Sequence, residues 1–349
     1  MDEDFTQMAS TMMAITQDRY GSAEVLETQD IDKPQIADGE VLVRVHAASI
    51  HLGDWILMTG VPYVMRTATG LSKPKNRVPG TDVAGTVEAV GAHVQSLRPG
   101  DEVFGWCTGA FAEYASASEN QFVTKPANLT FEQAAALGVS ASTALQLLRD
   151  DAGVRPGQKV LINGASGGVG TFAVQIAKAF GAEVTGVCST RNVELVRSIG
   201  ADHVVDYTRE DFRAGAARYD VILDNVGDRS MSDTRRALTP NGTLISNGGG
   251  HSAGKLGRVF RGSVVSMFVR QQGRPSVKTQ NRADLVALTA LVEAGKVTPV
   301  IGATYPLTQT PGAISHVAAG HARGTVVIAM TRPAIPHVGM EVTPVAVPA

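Results

Sequence analysis

The chain has 349 residues, of which 44% are hydrophobic and 18% are charged, and its formal net charge is −2. This length predicts two domains, and the small net charge gives no reason to expect nucleic acid or an anionic membrane as the main partner. The acidic start differs from a secretory signal, and no run of about 18 apolar residues predicts a membrane span. Cys107 and Cys188 are interpreted as reduced thiols of a cytoplasmic protein.

Short alternating segments predict a β-rich unit in the first third of the chain. The folded part is expected to begin near Met12, and an edge strand is predicted at Thr28–Pro34. Further strands are predicted at Val41–Ala48, Val83–Val90, Glu102–Trp106 and Phe111–Ala117. A Thr-x-x-Gln capping box at Thr130 and Gln133 predicts the start of a helical stretch that reaches Leu148.

After Pro156 the pattern changes to alternating strands and helices, which predicts a doubly wound parallel sheet with right-handed crossovers. The predicted strands are Val160–Asn163, Glu183–Cys188, His203–Asp206, Val221–Asp224, Thr243–Ser246 and a further apolar strand at Val264–Val269. The predicted helices between them are Val169–Phe180, Asn192–Ile199 and Arg229–Leu238. An amphipathic helix is predicted at Asp284–Ala294, followed by a strand, a short helix and a strand between Thr304 and Met330.

A glycine-rich turn joins a buried strand to a helix between Lys159 and Gly170, which is the context of a dinucleotide-binding fingerprint. Gly164 and Gly167 would allow a tight turn and a close backbone approach to a pyrophosphate, and Gly170 would let the helix pack against the strand. Ala165 stands where the fingerprint usually has its first glycine. The predicted phosphate-binding residues are Gly164, Ala165, Ser166, Gly167, Gly168, Val169 and Gly170. The alternative is a glycine-rich turn that binds no ligand.

The residues after the second strand of this unit predict NADP rather than NAD. Ser189, Thr190 and Arg191 stand where an acidic residue would accept the ribose hydroxyls of NAD. Arginine supplies charge and forked donors for a 2′-phosphate, and the two hydroxyls supply further donors. The alternative is that Ser189 and Thr190 cap the next helix, and both interpretations can hold because a cap site is also an anion site.

Several motifs resemble those of the medium-chain dehydrogenase/reductase superfamily, most closely its zinc-free quinone oxidoreductase-like branch. They are Pro79–Val87, Arg98–Gly105, Asn163–Gly170, Cys188–Arg191, Gly200–Tyr207 and Asp224–Gly227. The resemblance implies an α/β protein with a split GroES-like β-barrel catalytic domain, residues 1–136 and 275–349. A Rossmann domain with a doubly wound parallel sheet, residues 137–274, is inserted in it. The family implies hydride transfer from NADPH to a quinone or to an α,β-unsaturated carbonyl.

The resemblance also implies roles for individual residues. A cofactor contact is implied for Thr143 and Tyr207. Asn225, Val226, Gly248 and Gly249 are predicted to approach the nicotinamide because they follow the fourth and fifth strands at the carboxyl edge, where ligands bind, and the alternative is that the glycines only shape the loops. The candidate catalytic residues are His51, Asp54 and Tyr63. His51 replaces an asparagine that usually lies near the nicotinamide and would act as a general acid, and the Tyr63 hydroxyl would bind the carbonyl or protonate the α-carbon. The alternatives are a partly buried loop histidine with a backbone partner and a tyrosine that only packs.

The residues at the ligand positions of the zinc-dependent branch argue against a metal. Those positions hold His51, Thr81 and Val139 or Ser140, whereas a catalytic zinc needs three protein ligands. The two cysteines in the chain are too few for the four-cysteine structural lobe of that branch. We therefore predict that no zinc is bound. Without this Lewis acid, reduction of a conjugated C=C bond is favoured, since hydrogen bonds can hold the developing enolate.

Two other functions stay open, namely a metal-free carbonyl reductase or alcohol dehydrogenase, and a non-catalytic protein that keeps NADPH as a structural ligand. A homodimer is also predicted. The apolar segment Val264–Val269 would expose unpaired backbone groups at a sheet edge, and pairing with its symmetry mate would satisfy them. The predicted interface residues are Val264, Val265, Met267 and Phe268. The competing explanation is that the Asp284–Ala294 helix covers this segment.

Overall fold

The computed structural model of the protein describes residues 11–213, 218–227, 230–247, 272–275, 279–320 and 322–330. Within these residues the chain forms three sheets. The smallest is an antiparallel pair made of β1 (Thr11–Thr16) and β2 (Glu27–Asp32), which is close to the predicted start of the fold and its first strand. In this described part, no helix combines the length and the apolarity needed to cross a bilayer.

The first and last parts of the described chain share a seven-stranded sheet. Its strands are β3 (Glu40–Ile50), β4 (Asp82–Val90), β5 (Glu102–Trp106), β6 (Tyr114–Ser118), β7 (Phe122–Thr124), β14 (Ile301–Pro306) and β15 (Thr325–Ala329). Along β3 the apolar Val41, Val43 and Val45 are buried, as the predicted alternation requires, and Arg44 between them is exposed. The end of β3 is buried on both faces and leads directly to His51. The sheet therefore delivers His51 to a protected position.

Helices connect and flank the strands of this sheet. The short helices α1 (Leu52–Thr59) and α2 (Arg66–Thr69) follow β3, and α3 (Phe131–Ala135) packs on β3 and β4. The predicted capping box opens α3, since the Gln133 backbone N–H donates to Thr130 Oγ1 and the Gln133 side-chain oxygen Oε1 accepts from the Thr130 backbone N–H. Near the end of the chain, α8 (Arg282–Glu293) and α9 (Thr310–Ala318) match the predicted helical segments.

The predicted helical stretch from Ala134 to Leu148 is interrupted. Its backbone kinks at Gly138, where ψ is −114°, and helical geometry resumes in α4 (Ser142–Gln146) and a π-helical turn at Leu147–Asp151. The kink lies where the chain crosses from the first sheet to the next one. One apolar core continues across this crossing and includes Phe104 of β5, Leu145 of α4 and, from the following unit, Ile162.

The second large sheet is parallel and confirms the predicted doubly wound architecture. Its strands are β8 (Lys159–Asn163), β9 (Glu183–Cys188), β10 (His203–Asp206), β11 (Tyr219–Asp224), β12 (Leu238–Ser246) and β13 (Gln272–Pro275). They lie side by side in the order β10-β9-β8-β11-β12-β13. The helices between them are α5 (Gly168–Ala179), α6 (Val193–Ser198) and α7 (Met231–Arg235). The strand order reverses between β8 and β11, and ligands of such sheets bind at that reversal, beyond the carboxyl ends of the strands.

Two predicted elements differ from the structure, and a third cannot be compared with it. The strand predicted at Phe111–Ala117 begins at Tyr114, because Phe111 and Ala112 pair with β1 instead. The helix predicted at Arg229–Leu238 spans only Met231–Arg235 within the described residues, and Leu238 already belongs to β12. The segment Val264–Val269 lies outside the described residues, so the homodimer built on it stays a prediction.

Candidate active site

The turn between β8 and α5 brings the predicted glycine residues together. Gly164 adopts a φ of +76°, which favours glycine, and its backbone lies against the Val226 side chain. A Cβ on Gly170 would lie 2.0 Å from the Gly164 carbonyl oxygen, so this glycine is required by the packing of the helix on the turn. A Cβ on Gly167 would meet only that same oxygen, at an ordinary 3.6 Å. Packing therefore explains Gly170 and leaves Gly167 without a structural reason.

The start of α5 has the geometry of an anion site. Gly167 caps the helix, and the N–H groups of the first turn have no acceptor inside it. The backbone at Gly167, Gly168 and Val169 is partly exposed, whereas Ala165 is fully buried below it. Ser166 Oγ accepts a hydrogen bond from Asn192 Nδ2 at 3.0 Å, which ties the turn to the next helical segment. These residues fit a pyrophosphate held by backbone N–H groups.

Ser189, Thr190 and Arg191 follow β9 on the same edge of the sheet. Thr190 Oγ1 donates a 2.6 Å hydrogen bond to Asp206 Oδ2 at the end of β10, so its hydroxyl hydrogen is already used. This bond, together with those from Thr208, lowers the pKa of Asp206, which is therefore an anion at neutral pH. Ser189 makes no side-chain cap of the following 3-10 turn. Of the two hydroxyl donors predicted in this segment, that of Thr190 is therefore engaged within the protein.

The residues predicted near the nicotinamide follow β11 and β12. Asp224 is buried and accepts hydrogen bonds from the N–H groups of Val226 and Gly227, which shapes the turn that covers Gly164. Asn225 donates its side-chain amide to the Asn163 carbonyl oxygen and accepts from the Asn247 amide. Asn247 is the last described residue after β12, and Gly248 and Gly249 lie outside the described residues.

Two other predicted cofactor residues flank this edge. Tyr207 follows β10, is 54% exposed, and donates its backbone N–H to the Cys188 carbonyl oxygen beside Ser189. Thr143 is partly buried in α4, in the helical segment that links the two large sheets. Tyr207 therefore lies beside Ser189 at the end of β10, whereas Thr143 lies on a helix that packs against α5.

His51 forms a small polar cluster with two other residues. His51 Nε2 lies 2.8 Å from Thr81 Oγ1 and 3.5 Å from Asp54 Oδ2, and the His51 N–H donates to the same carboxylate oxygen. The Asp54 side chain is buried, its Oδ1 atom has no hydrogen-bond partner, and burial raises its pKa. The partner of the His51 ring is thus the Thr81 hydroxyl rather than the backbone group of the alternative interpretation. A histidine joined to a hydroxyl in this way can pass a proton.

Asp82 lies next to the His51 cluster, and the sequence analysis gave it no role of its own. It is fully buried and accepts hydrogen bonds from Ser49 Oγ, the Val139 N–H and Gln280 Nε2. Burial raises the pKa of Asp82 to about 6, and the nearby His51 and the Val139 N–H only partly oppose this rise. Its place in the Pro79–Val87 motif, at the start of β4 opposite Ser49, was the available signal.

Asp82→Asn should raise the free energy of unfolding near neutral pH. The folded-state pKa lies above the ordinary value of 3.8, so the unfolded chain ionises first as the pH rises, and the native state loses stability between about pH 4 and 6. Two pKa units correspond to about 3 kcal/mol, which the neutral amide avoids. Urea unfolding at about pH 4 and pH 7.5 measures the difference between variant and parent protein. We expect a gain of up to about 3 kcal/mol at the higher pH and almost none at the lower.

The exposed Asp38 supplies the control for this measurement, since Asp38→Asn removes no buried charge. A gain from Asp82→Asn that did not depend on pH would contradict the assignment of a buried, ionising carboxyl to Asp82.

Tyr63 lies apart from this cluster in the described contacts. It is 72% exposed in a short turn after α1, and its ring packs on the Arg66 guanidinium, which also stacks on Tyr20. The contacts of Tyr63 that the structure shows are therefore those of the packing alternative. Five of the large exposed apolar side chains cluster in this part of the chain, namely Leu57, Tyr63, Val64, Met65 and Leu71.

The metal-ligand positions of the zinc-dependent branch hold no cluster of metal-binding side chains in the described part of the chain. Nowhere among the described residues do three or more His, Cys, Asp or Glu side chains form a group that would hold a metal ion. Cys107 and Cys188 are both free and buried, and burial raises the pKa of each thiol.

The fold and the site define a two-domain protein of the dehydrogenase class. It has a glycine-rich turn suited to a dinucleotide on the parallel sheet, and a polar cluster on the seven-stranded sheet, which is called the barrel sheet below. Family models for the alcohol dehydrogenase GroES-like domain and for zinc-binding dehydrogenases match residues 37–127 and 199–328. The mitochondrial NAD(P)H oxidoreductase RTN4IP1 of Bos taurus is 36% identical, over 93% of this chain and 90% of the relative. The 2-methylene-furan-3-one reductase of Solanum lycopersicum is 34% identical, over 91% and 79%.

A solved structure has the same fold. The quinone oxidoreductase of Coxiella burnetii superposes with a TM-score of 0.82 at 28% identity, covering 92% of this chain and 100% of that one. The chain belongs to the medium-chain dehydrogenase/reductase superfamily, in its quinone oxidoreductase-like branch.

Proposed function

We propose that the protein is an NADPH-dependent, zinc-independent reductase that transfers a hydride to a quinone or to an α,β-unsaturated carbonyl. The observation that carries this proposal is the His51–Thr81 hydrogen bond, which puts a proton donor where zinc-dependent members of the superfamily hold metal ligands. The names of the tomato reductase and of the Coxiella quinone oxidoreductase support the two substrate classes.

The residues of the chain divide the chemistry between them. When bound, NADPH supplies the hydride that adds to the β-carbon of the conjugated alkene. The turn from Gly164 to Gly170 would hold its pyrophosphate, and Arg191 its 2′-phosphate. His51 then provides the proton that the α-carbon needs, through the Thr81 hydroxyl, which passes one proton on as it takes one from the ring. Buried Asp54 holds His51 in place, since one carboxylate oxygen accepts the His51 N–H and lies 3.5 Å from the ring.

The five exposed apolar side chains between Leu57 and Leu71 support a lipophilic substrate. Leu57 is on α1, the helix that begins directly after His51, and the other four members follow it in the chain. Small-molecule sites are lined mainly by apolar and aromatic side chains. Between Trp55 and Thr81 the chain has four basic residues and no acidic one, so this region would also attract electron-rich carbonyl or quinone oxygens.

A turnover panel tests the proposed function. Oxidation of NADPH would be followed with quinones, enones and saturated ketones at equal concentrations. We expect turnover of the first two classes and little of the third. Turnover of saturated ketones alone would indicate a metal-free carbonyl reductase, and tight NADPH binding without any turnover would indicate a binding protein.

Arg191→Ala should weaken the binding of NADPH by about 1.5–3 kcal/mol, the usual range for a hydrogen bond to a charged group. NADH affinity should change little, because NADH lacks the 2′-phosphate. Fluorescence titration with each nucleotide measures both values. Arg197→Gln is the matched control, since this exposed arginine of α6 pairs with Glu194 on its own helix. Equal losses for the two nucleotides would contradict the assignment.

Purified protein should contain no stoichiometric zinc, and a chelator should leave its activity intact. The reason is that Thr81 and Val139 stand at two of the three ligand positions and cannot bind zinc. Elemental analysis of the protein, before and after chelator treatment, measures the metal content. A content of about one zinc per chain would overturn the zinc-independent assignment.

A further inference from the structure

The chain crosses between the two large sheets twice, and a residue of each crossing donates a hydrogen bond to the same buried carboxylate, that of Asp82. On the outward passage, after the kink at Gly138, the Val139 N–H lies 2.9 Å from Asp82 Oδ2. On the return passage, between β13 and α8, Gln280 Nε2 lies 3.1 Å from Asp82 Oδ1. Each oxygen of the Asp82 side chain therefore accepts a hydrogen bond from one of the two crossings.

The outward crossing is also in direct contact with Asp82. A Cβ on Gly138 would lie 2.2 Å from Asp82 Cγ, so the backbone of the kink packs on the carboxylate with no space for a side chain. Since Asp82 is completely buried, it has no room to follow a shift of the kink independently of β4. A rotation of one sheet relative to the other must therefore move β4 or break these hydrogen bonds.

The return crossing has a second attachment. Gln146 of α4 donates its side-chain amide to the Thr279 carbonyl oxygen at 2.7 Å, one residue before Gln280. Gln146 also bonds the buried Asp284 at the start of α8. The two crossings are consequently held to each other, and Asp82 is the point at which both are held to the barrel sheet.

Asp82 follows Thr81 in the chain, and Thr81 holds the His51 ring at 2.8 Å. We propose that Asp82 is a positioning residue that couples closure of the two sheets around the cofactor to the placement of Thr81 and His51. The inference rests on the proposed function, because it needs a nucleotide that binds between the sheets. Closure of domains around a ligand commonly turns on a few residues at the ends of elements, as Gly138 and Gln280 are here.

Two variants that each remove one hydrogen bond to Asp82 test this coupling. Gln280→Leu removes the bond from the return crossing, whereas Ser49→Ala removes a bond of 3.0 Å that lies within the barrel sheet, between β3 and β4. Both leave His51 and Thr81 in place. Gln280→Asn, which keeps the amide but shortens the side chain by one methylene, replaces Gln280→Leu if that variant does not fold.

The first readout does not require turnover. Hydrogen–deuterium exchange is measured for the peptide that contains the Val139 amide, with and without NADPH. In the parent protein and in Ser49→Ala, we expect NADPH to slow this exchange, and in Gln280→Leu we expect the slowing to be largely lost. The second readout is kinetic: kcat should fall about tenfold or more in Gln280→Leu and less than twofold in Ser49→Ala, because only the first variant releases a crossing from Asp82.

The outcomes separate the inference from the function on which it rests. If NADPH does not protect the Val139 peptide in the parent protein although titration shows that NADPH binds, the inference is wrong and the cofactor site stands; if NADPH does not bind at all, the proposed function is contradicted. If NADPH protects the parent and Gln280→Leu equally, or if Gln280→Leu and Ser49→Ala lose the same kcat, the coupling through Asp82 is wrong while the reductase assignment stands.

Discussion

His51→Gln is expected to lower kcat for enone reduction by about a hundredfold or more, which is the usual contribution of a general acid. Glutamine keeps a neutral hydrogen bond within reach of Thr81 but cannot take up and return a proton. The binding of NADPH should change little, because His51 is not part of the glycine turn. Steady-state kinetics at saturating NADPH measures the effect.

The same sheet offers a matched control for this change. His46 of β3 pairs with Thr86 of β4, with 3.0 Å between His46 Nε2 and Thr86 Oγ1, so it repeats the histidine–threonine pair away from the site. His46→Gln should leave kcat within about twofold, since the His46 ring stacks on Phe131 rather than against the His51 cluster. Equal losses in the two variants, or an undiminished kcat in His51→Gln, would assign His51 to packing and leave the proton source elsewhere.

The sequence predicted the parallel sheet better than the crossing between the sheets. The bounds of Glu183–Cys188 and His203–Asp206 were correct, because both are short segments bounded by turn residues. Glu183–Cys188 is buried along nearly its whole length, whereas His203–Asp206 is the edge strand of the sheet and is partly exposed. The helix predicted from Ala134 to Leu148 is broken at Gly138 because the carboxylate of Asp82 occupies the adjacent space. Asp82 is distant in sequence, so no local pattern around Gly138 could indicate this contact.

The candidate site shows the same division between local and tertiary information. The glycine turn and the position of His51 were recognisable because their motifs are contiguous in the chain. The hydrogen bond from Thr190 to Asp206 joins the ends of two neighbouring strands. The Thr190 hydroxyl, which was predicted to donate to a phosphate, therefore donates to Asp206. The raised pKa of Asp82 results from complete burial, which only the packed structure reveals.

Gly170→Ala is expected to lower the free energy of unfolding by about 3 kcal/mol or more, the upper part of the range for overpacking a buried site. The added Cβ would lie 2.0 Å from the Gly164 carbonyl oxygen and 2.9 Å from Ala165 backbone atoms. These atoms belong to the tight turn itself, so they can move aside only if α5 separates from β8. Urea unfolding measures the loss, and a variant as stable as the parent protein would show that the turn is looser than its geometry indicates.

Gly167→Ala separates binding from packing in the same turn. Its Cβ would meet only the Gly164 oxygen, at 3.6 Å, and its φ of −84° suits any residue, so we expect parental stability. If the turn holds a pyrophosphate, the methyl group obstructs the close approach of the phosphates, and NADPH affinity should fall about tenfold or more. A turn that binds no ligand predicts no change in affinity. Parental affinity in Gly167→Ala would therefore favour the purely structural turn, whereas weaker binding at unchanged stability would identify Gly167 as a cofactor residue.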